Sequence, residues 1–223
     1  MPDGPSDIFT EPDADPATLR NLGPLAPLAG SWLGDGGLDV HPTADGPVQS
    51  AFVERYDLEP IDPQTNGPQL FYGLRYHTHI TQPGETAMFH EQVGYWLWEP
   101  ASKTVVLTLA IPRGQVAMAT GQADPDARRF TVKATRGSPT HGIITNPFLE
   151  YAFQTTAFEM TVTINDDGSW AYDQTTTLNV RGQTQPFLHT DRNTLKRVAV
   201  AVPNPLAAPP IKPGERHPRK KSS

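Results

Sequence analysis

Of the seven histidines in this chain, His189 has the neighbours best suited to chemistry. The stretch Thr184 to Val198, TQPFLHTDRNTLKRV, alternates Phe187, His189 and Asp191 on one face with Leu188 and Thr190 on the other, then resumes apolar residues at Leu195 and Val198. On a β-strand that pattern sets an imidazole between an aromatic ring and a carboxylate. There it can ligate a metal ion, or hydrogen-bond to Asp191 or to a backbone carbonyl. His77 and His79 alternate onto one face of another strand, as a shared metal pair or as a polar exterior stripe. His90 and Glu91 face opposite sides of theirs and make a poor acid-base dyad. No HExxH, GxSxG, GxGxxG or P-loop motif occurs, and Gly34-Asp35-Gly36-Gly37 lacks the following helix that a phosphate loop needs. A conventional hydrolase is therefore less well supported than a binding barrel or a barrel enzyme with isomerase or lyase chemistry.

Short, closely connected strands must position these side chains. Leu19, Leu22, Leu25 and Leu28 recur every third residue, while Gly23, Pro24 and Pro27 forbid a long helix, so short helical turns are expected to lay leucines over one end of a core. Strand patterns follow from Ser31 to Val40, Gln49 to Leu58, Gln69 to Ile80, Ala87 to Trp98, Lys103 to Ile111, Gly114 to Gly121, Arg128 to Arg136, Phe148 to Ile164, Ser169 to Val180 and Thr184 to Val198. The segments Glu59 to Pro68 and Gly137 to Pro147 read as irregular connections. In the first strand, alternation sets Trp32, Gly34, Gly36, Leu38 and Val40 on one face, with the glycines allowing a strand, a plug or a ligand to approach closely. About ten antiparallel strands without crossover helices predict an all-β fold, a ten-stranded antiparallel barrel of the lipocalin or fatty-acid-binding-protein type; a two-sheet sandwich is the alternative. A barrel of that size commonly encloses a ligand space. The domain reading is a flexible acidic segment over 1–21, the barrel over 22–200, and a disordered Pro-rich basic tail over 201–223.

The formal net charge of the 223 residues is -6, and Lys212, Arg216, Arg219, Lys220 and Lys221 leave the rest of the chain still more acidic. Such a body is a poor nucleic-acid surface, because phosphate contacts need clustered basic side chains. The absence of cysteine excludes disulfides, iron-sulfur clusters and thiolate metal sites. Neither a basic-then-apolar leader nor a long apolar run is visible, so no membrane partner is expected and the expected location is cytoplasmic.

Several of these segments resemble a known family. Leu25-Ala26-Pro27-Leu28-Ala29-Gly30-Ser31-Trp32-Leu33-Gly34-Asp35-Gly36 is similar to the LxxLxGxWxGxG opening of the nitrobindin family, the fatty-acid-binding-protein-like haem-binding β-barrels. His90-Glu91-Gln92-Val93-Gly94-Tyr95 resembles the family's central H-x-E-x-G-Y region with altered spacing, and Leu109-Ala110-Ile111-Pro112-Arg113-Gly114 resembles a segment that often has His where Ile111 stands. The closing Gly182-Gln183 through Leu195-Lys196-Arg197 resembles the strand that carries the iron-binding histidine; here six positions separate His189 from Leu195, one more than the family spacing. The resemblance covers about residues 22 to 199. It implies haem b at the barrel mouth with His189 as metal ligand, a cofactor pocket including Trp32, Gly34, Gly36, Ile111 and Phe187, and reaction with nitric oxide or isomerisation of peroxynitrite to nitrate. The expected partners are haem or a small hydrophobic ligand, with self-association into a homodimer left open. A non-haem barrel for a small hydrophobic ligand such as a fatty acid is the alternative.

Overall fold

The computed structural model describes residues 7–204 and Leu206. The basic residues of the expected tail lie outside them. After the helical turn α1 (Thr18–Asn21) and the 3₁₀ segment η1 (Gly23–Leu28) come twelve strands. They are β1 (Gly30–Thr43), β2 (Gly46–Pro60), β3 (Gln64–Asn66), β4 (Gln69–Thr81), β5 (Met88–Glu99), β6 (Thr104–Ile111), β7 (Gln115–Gln122), β8 (Arg129–Thr135), β9 (Ile143–Thr145), β10 (Phe153–Ile164), β11 (Trp170–Val180) and β12 (Phe187–Val200), with helix α2 (Pro147–Ala152) before β10. Ten of these strands form a closed antiparallel circuit, in which β1 pairs with β12 and β2 pairs with β4; β3 and β9 are appended to β4 and β7. Closure leaves the long strands no free edge, which is why a chain with alternating apolar strands settles as a barrel.

One end of the barrel is filled. Leu22, Leu25 and Leu28 are fully buried, laid inward by the turns that the Gly and Pro residues impose. Gly23 has φ +53°, and a Cβ on it would sit 2.4 Å from Trp98 Nε1, so the plug reaches the indole only with glycine there. Trp32 Nε1 donates to the Leu28 carbonyl at 2.7 Å, and the Trp32 ring meets Trp170 edge-on at 6.1 Å. Arg197 closes the arrangement: its guanidinium lies 4.1 Å over the Trp32 ring and donates to the carbonyls of Ala29 and Pro27. Residues near the N-terminus are tied to this region, since the Thr18 hydroxyl donates to the Ile61 carbonyl at 2.7 Å and the Asp15 amide to the Tyr72 hydroxyl at 3.2 Å.

The other end is the mouth, where β4, β6 and β11 finish and β5, β7 and β12 begin. Besides β9, which lies within the Gly137 to Pro147 segment expected to be irregular, three local findings differ from the sequence expectations. The Glu59 to Pro68 connection contains β3, hairpinned onto β4 through Gly67 at φ +55°. The strand expected from Phe148 begins at Phe153, because the Asn146 side chain accepts from the Phe148 and Leu149 amides and Pro147 occupies the first helical turn, which makes Pro147–Ala152 a capped helix. The third is in β1. Against β2, Gly34 pairs with Glu54 but Gly37 with Phe52, so β1 carries one extra residue there. That bulge exchanges the faces of everything beyond it.

Candidate functional site

The bulge brings Asp39 to the inner face. Had β1 kept strict alternation, Leu38 and Val40 would point inward, as the sequence pattern led us to expect; instead Gly37 and Asp39 are buried and Gly36 is exposed. Asp39 pairs in register with Asp191 of β12, and β12 runs without a register shift against β11 from Phe187 to Leu195. An even separation on a regular strand keeps His189 on the face of Asn193 and Leu195, both buried. The Nε2–H of His189 donates to Asp39 Oδ1 at 2.7 Å, and the same nitrogen lies 3.7 Å from Asp191 Oδ2. His41 Nδ1 reaches the other Asp39 oxygen at 2.6 Å, and Gln174 Nε2 donates to Asp191 at 2.9 Å. His189 is 31% exposed, against 12% for Asp39 and 19% for Asp191, so the imidazole stands at the solvent side of two more sheltered carboxylates.

These charges are not equivalent. Burial works against ionising Asp39, but the hydrogen bonds and positive charge of His189 and then His41 outweigh it and hold the carboxyl below its usual range. Asp191 goes the other way: burial, reinforced by the negative charge of Asp39, pushes it up to about 6 despite His189. For His189 burial lowers the value, yet the bond to Asp39 and the charges of Asp191 and Asp39 prevail and raise it. Nearby His90 is pushed down to about 4, by burial first and then by Arg113 and His189, and so remains a neutral imidazole at pH 7. Deeper in the barrel, fully buried Glu54 accepts from Thr78 Oγ1 at 2.7 Å, Tyr172 OH at 2.7 Å and Asn193 Nδ2 at 3.1 Å. Burial dominates there and raises its pKa.

The six residues named from the sequence do not form one cluster. His189, Phe187 and Ile111 are all at the mouth ends of their strands and partly buried. Trp32 is in the plugged end, seven residues along β1 from Asp39 or roughly 20 Å of strand. Gly34 has no free space above it: a Cβ would lie 2.4 Å from Asn193 Nδ2. Gly36 is the reverse, exposed, with open space around its Cα. Asp39, His41 and Gln174 were missed, and the only signal for the first two was the glycine run that houses the bulge. Of the exterior histidines, His77 bonds Glu91 across β4 and β5 at 2.8 Å, a polar stripe on the outer wall. A groove of about 480 Å³ also runs over that wall past Arg75, His77, Val93 and Tyr95, and includes none of Asp39, His189 or Asp191.

A closed ten-stranded barrel, plugged by N-terminal turns and open beside a histidine, is a barrel of the lipocalin and fatty-acid-binding-protein class. The chain belongs to the family described as the THAP4-like, heme-binding beta-barrel domain, which it matches over residues 21–197. Its fold is similar to the crystal structure of Rv2717c from M. tuberculosis, at 22% identity and a TM-score of 0.56, covering 83% of this chain and 99% of that one. Comparison with curated proteins finds no match. The residues at the mouth fit an imidazole that would hold a metal: one His189 nitrogen is oriented by a carboxylate, as in metal-ligating histidines generally, and Nδ1 makes no hydrogen bond among the described residues. Among the described residues no helix is long and apolar enough to cross a membrane.

Proposed function

We propose that the mouth holds haem b through His189, and that the loaded barrel reacts with nitric oxide or converts peroxynitrite to nitrate. The observation that carries this reading is the Asp39-oriented imidazole on the inner face of β12, in a chain of the haem-binding barrel family. Bound haem supplies the iron at which such small nitrogen oxides react. The chain's own residues have narrower tasks. Asp39 fixes the ring of His189 and, by accepting the Nε2–H hydrogen bond, raises its basicity as a ligand. Phe187 and Ile111 are partly buried apolar flanks for a flat ligand, and His90 offers a neutral imidazole as a hydrogen-bonding group. Arg113, whose guanidinium donates to the Phe89 carbonyl at 2.6 Å, brings positive charge to the rim.

The test is a haem titration of the purified chain followed by visible spectra of wild type and His189→Ala. We expect saturable binding with an imidazole-type spectrum that the variant loses while its β-sheet circular dichroism persists. Absence of saturable binding to wild type overturns the reading and selects the alternative, a barrel for a small non-haem hydrophobic ligand. A rate of nitrate formation from peroxynitrite that depends on bound haem tests the activity separately.

A further inference from the structure

We infer that Asp39, His189 and Asp191 form a binding site for a bare divalent transition-metal ion, an occupant distinct from haem that competes with it for His189. One imidazole nitrogen and one oxygen from each carboxylate lie within 4.8 Å of one another. An ion at ordinary zinc-ligand distances needs its donors roughly 3–3.5 Å apart. The His189–Asp39 separation is already shorter than that, the His189–Asp191 separation of 3.7 Å is close to it, and the two carboxylates lie within 4.8 Å of each other, so the three donors need only small adjustments to converge on one ion. The backbone supports it. Asp39 and Asp191 are register partners on hydrogen-bonded strands, and His189 and Asp191 are two residues apart on one face.

Two further features point to a metal and not merely to an acid cluster that borrows a histidine. Each carboxylate has its own outer partner, His41 on Asp39 and Gln174 on Asp191, and neither partner belongs to the donor set. Outer groups that hold first ligands in orientation are the usual accompaniment of a metal centre. The composition of the set also selects the ion. A nitrogen with two carboxylate oxygens and no thiolate suits zinc, cobalt, manganese or ferrous iron, whereas the imidazole disfavours magnesium and calcium, which take oxygen ligands. With three protein donors on one side and His189 partly exposed on the other, the remaining coordination positions would face the mouth.

The inference is tested on the haem-free chain with Zn²⁺ by calorimetry and Co²⁺ by visible absorption. We expect one saturable site per chain, weakened at least tenfold in His189→Ala and in Asp191→Asn, and unchanged in His77→Ala on the outer wall. Gln174→Ala, which leaves every donor in place, is expected to weaken binding about tenfold, the low end for loss of an outer partner. Should His189→Ala fail to fold, Asp191→Asn and Gln174→Ala carry the same comparison. Absence of saturable binding, or binding indifferent to Asp191→Asn, overturns the proposal. Haem titration of wild type and of Asp191→Asn separates the two readings, because haem needs His189 but not Asp191: haem retained in Asp191→Asn with the ion lost supports the cation site, and wild type that binds the ion but no haem overturns the haem reading alone.

Discussion

At the closed end of the barrel all four tryptophans, Trp32, Trp96, Trp98 and Trp170, are fully buried in one core with Leu22, Leu25 and Leu28 of the N-terminal turns. At the mouth β1, β5 and β12 carry Asp39, His90, His189 and Asp191, side chains that cost free energy to bury; Asp39 is buried, while His189 and Asp191 are left partly open to water. Between them Glu54, Tyr172, Asn193 and Thr78 form a polar layer that is buried like the first region and ionisable like the second. Stability is thus concentrated where there is no chemistry, and the chemistry stands where substitution is cheap. That separation lets a strand end change its donors without unfolding the barrel.

The sharpest way to break this contrast is to cut into the plug. Trp170→Ala removes an indole packed between Trp32, Tyr56 and Tyr172, and is expected to cost about 3–5 kcal/mol in denaturant unfolding, the usual range for such truncations. Next comes the glycine at which plug and polar layer meet. Gly34→Ala drives a Cβ into the Asn193 amide and breaks its bond to Glu54, so a loss of about 1–3 kcal/mol is expected. An unchanged unfolding midpoint for Gly34→Ala would mean that Asn193 swings away freely and that the middle layer is not rigid.

Glu54 itself ties the comparison to pH. Its folded pKa is raised by burial, so the unfolded chain ionises first as pH climbs above the ordinary Glu value near 4.3, and folding loses stability with rising pH until the buried group also ionises. A neutral Gln is free of that loss. The stability of Glu54→Gln relative to wild type should therefore improve by up to about 1.4 kcal/mol per pH unit in that window. A difference flat from pH 4 to 8 would show the carboxyl to be ionised at no cost.

Period-two alternation made most of the barrel legible, and it also set Phe187, His189 and Asp191 on one face of β12, where the structure has them. It failed at two places for physical reasons. The one-residue bulge in β1 is invisible to a pattern that assumes strict alternation, and it reversed Leu38 and Val40 with Asp39. The helix α2 was announced by Asn146-Pro147, a cap followed by a first-turn proline, but aromatic residues after it made the stretch read as strand. The central contact of the site joins residues 150 positions apart, and no local pattern can pair them.

The smallest expected effect probes the mouth. His189 and Asp39 make the shortest link of the site at 2.7 Å, yet the imidazole is about a third exposed and each partner has a second neighbour, Asp191 for His189 and His41 for Asp39. Water screens the pair, and removing one member leaves the other a substitute. A double-mutant cycle of Asp39→Asn and His189→Gln should give a coupling in folding stability below about 1 kcal/mol, as for exposed ion pairs, measured by denaturant unfolding at pH 7. The same two substitutions should each weaken haem or metal uptake at least tenfold, because they remove the orienting group or the ligand itself. A coupling near 3–5 kcal/mol, the cost of stranding one partner of a buried pair, would place His189 and Asp39 among the structural contacts of the barrel and erase the distinction between its two ends.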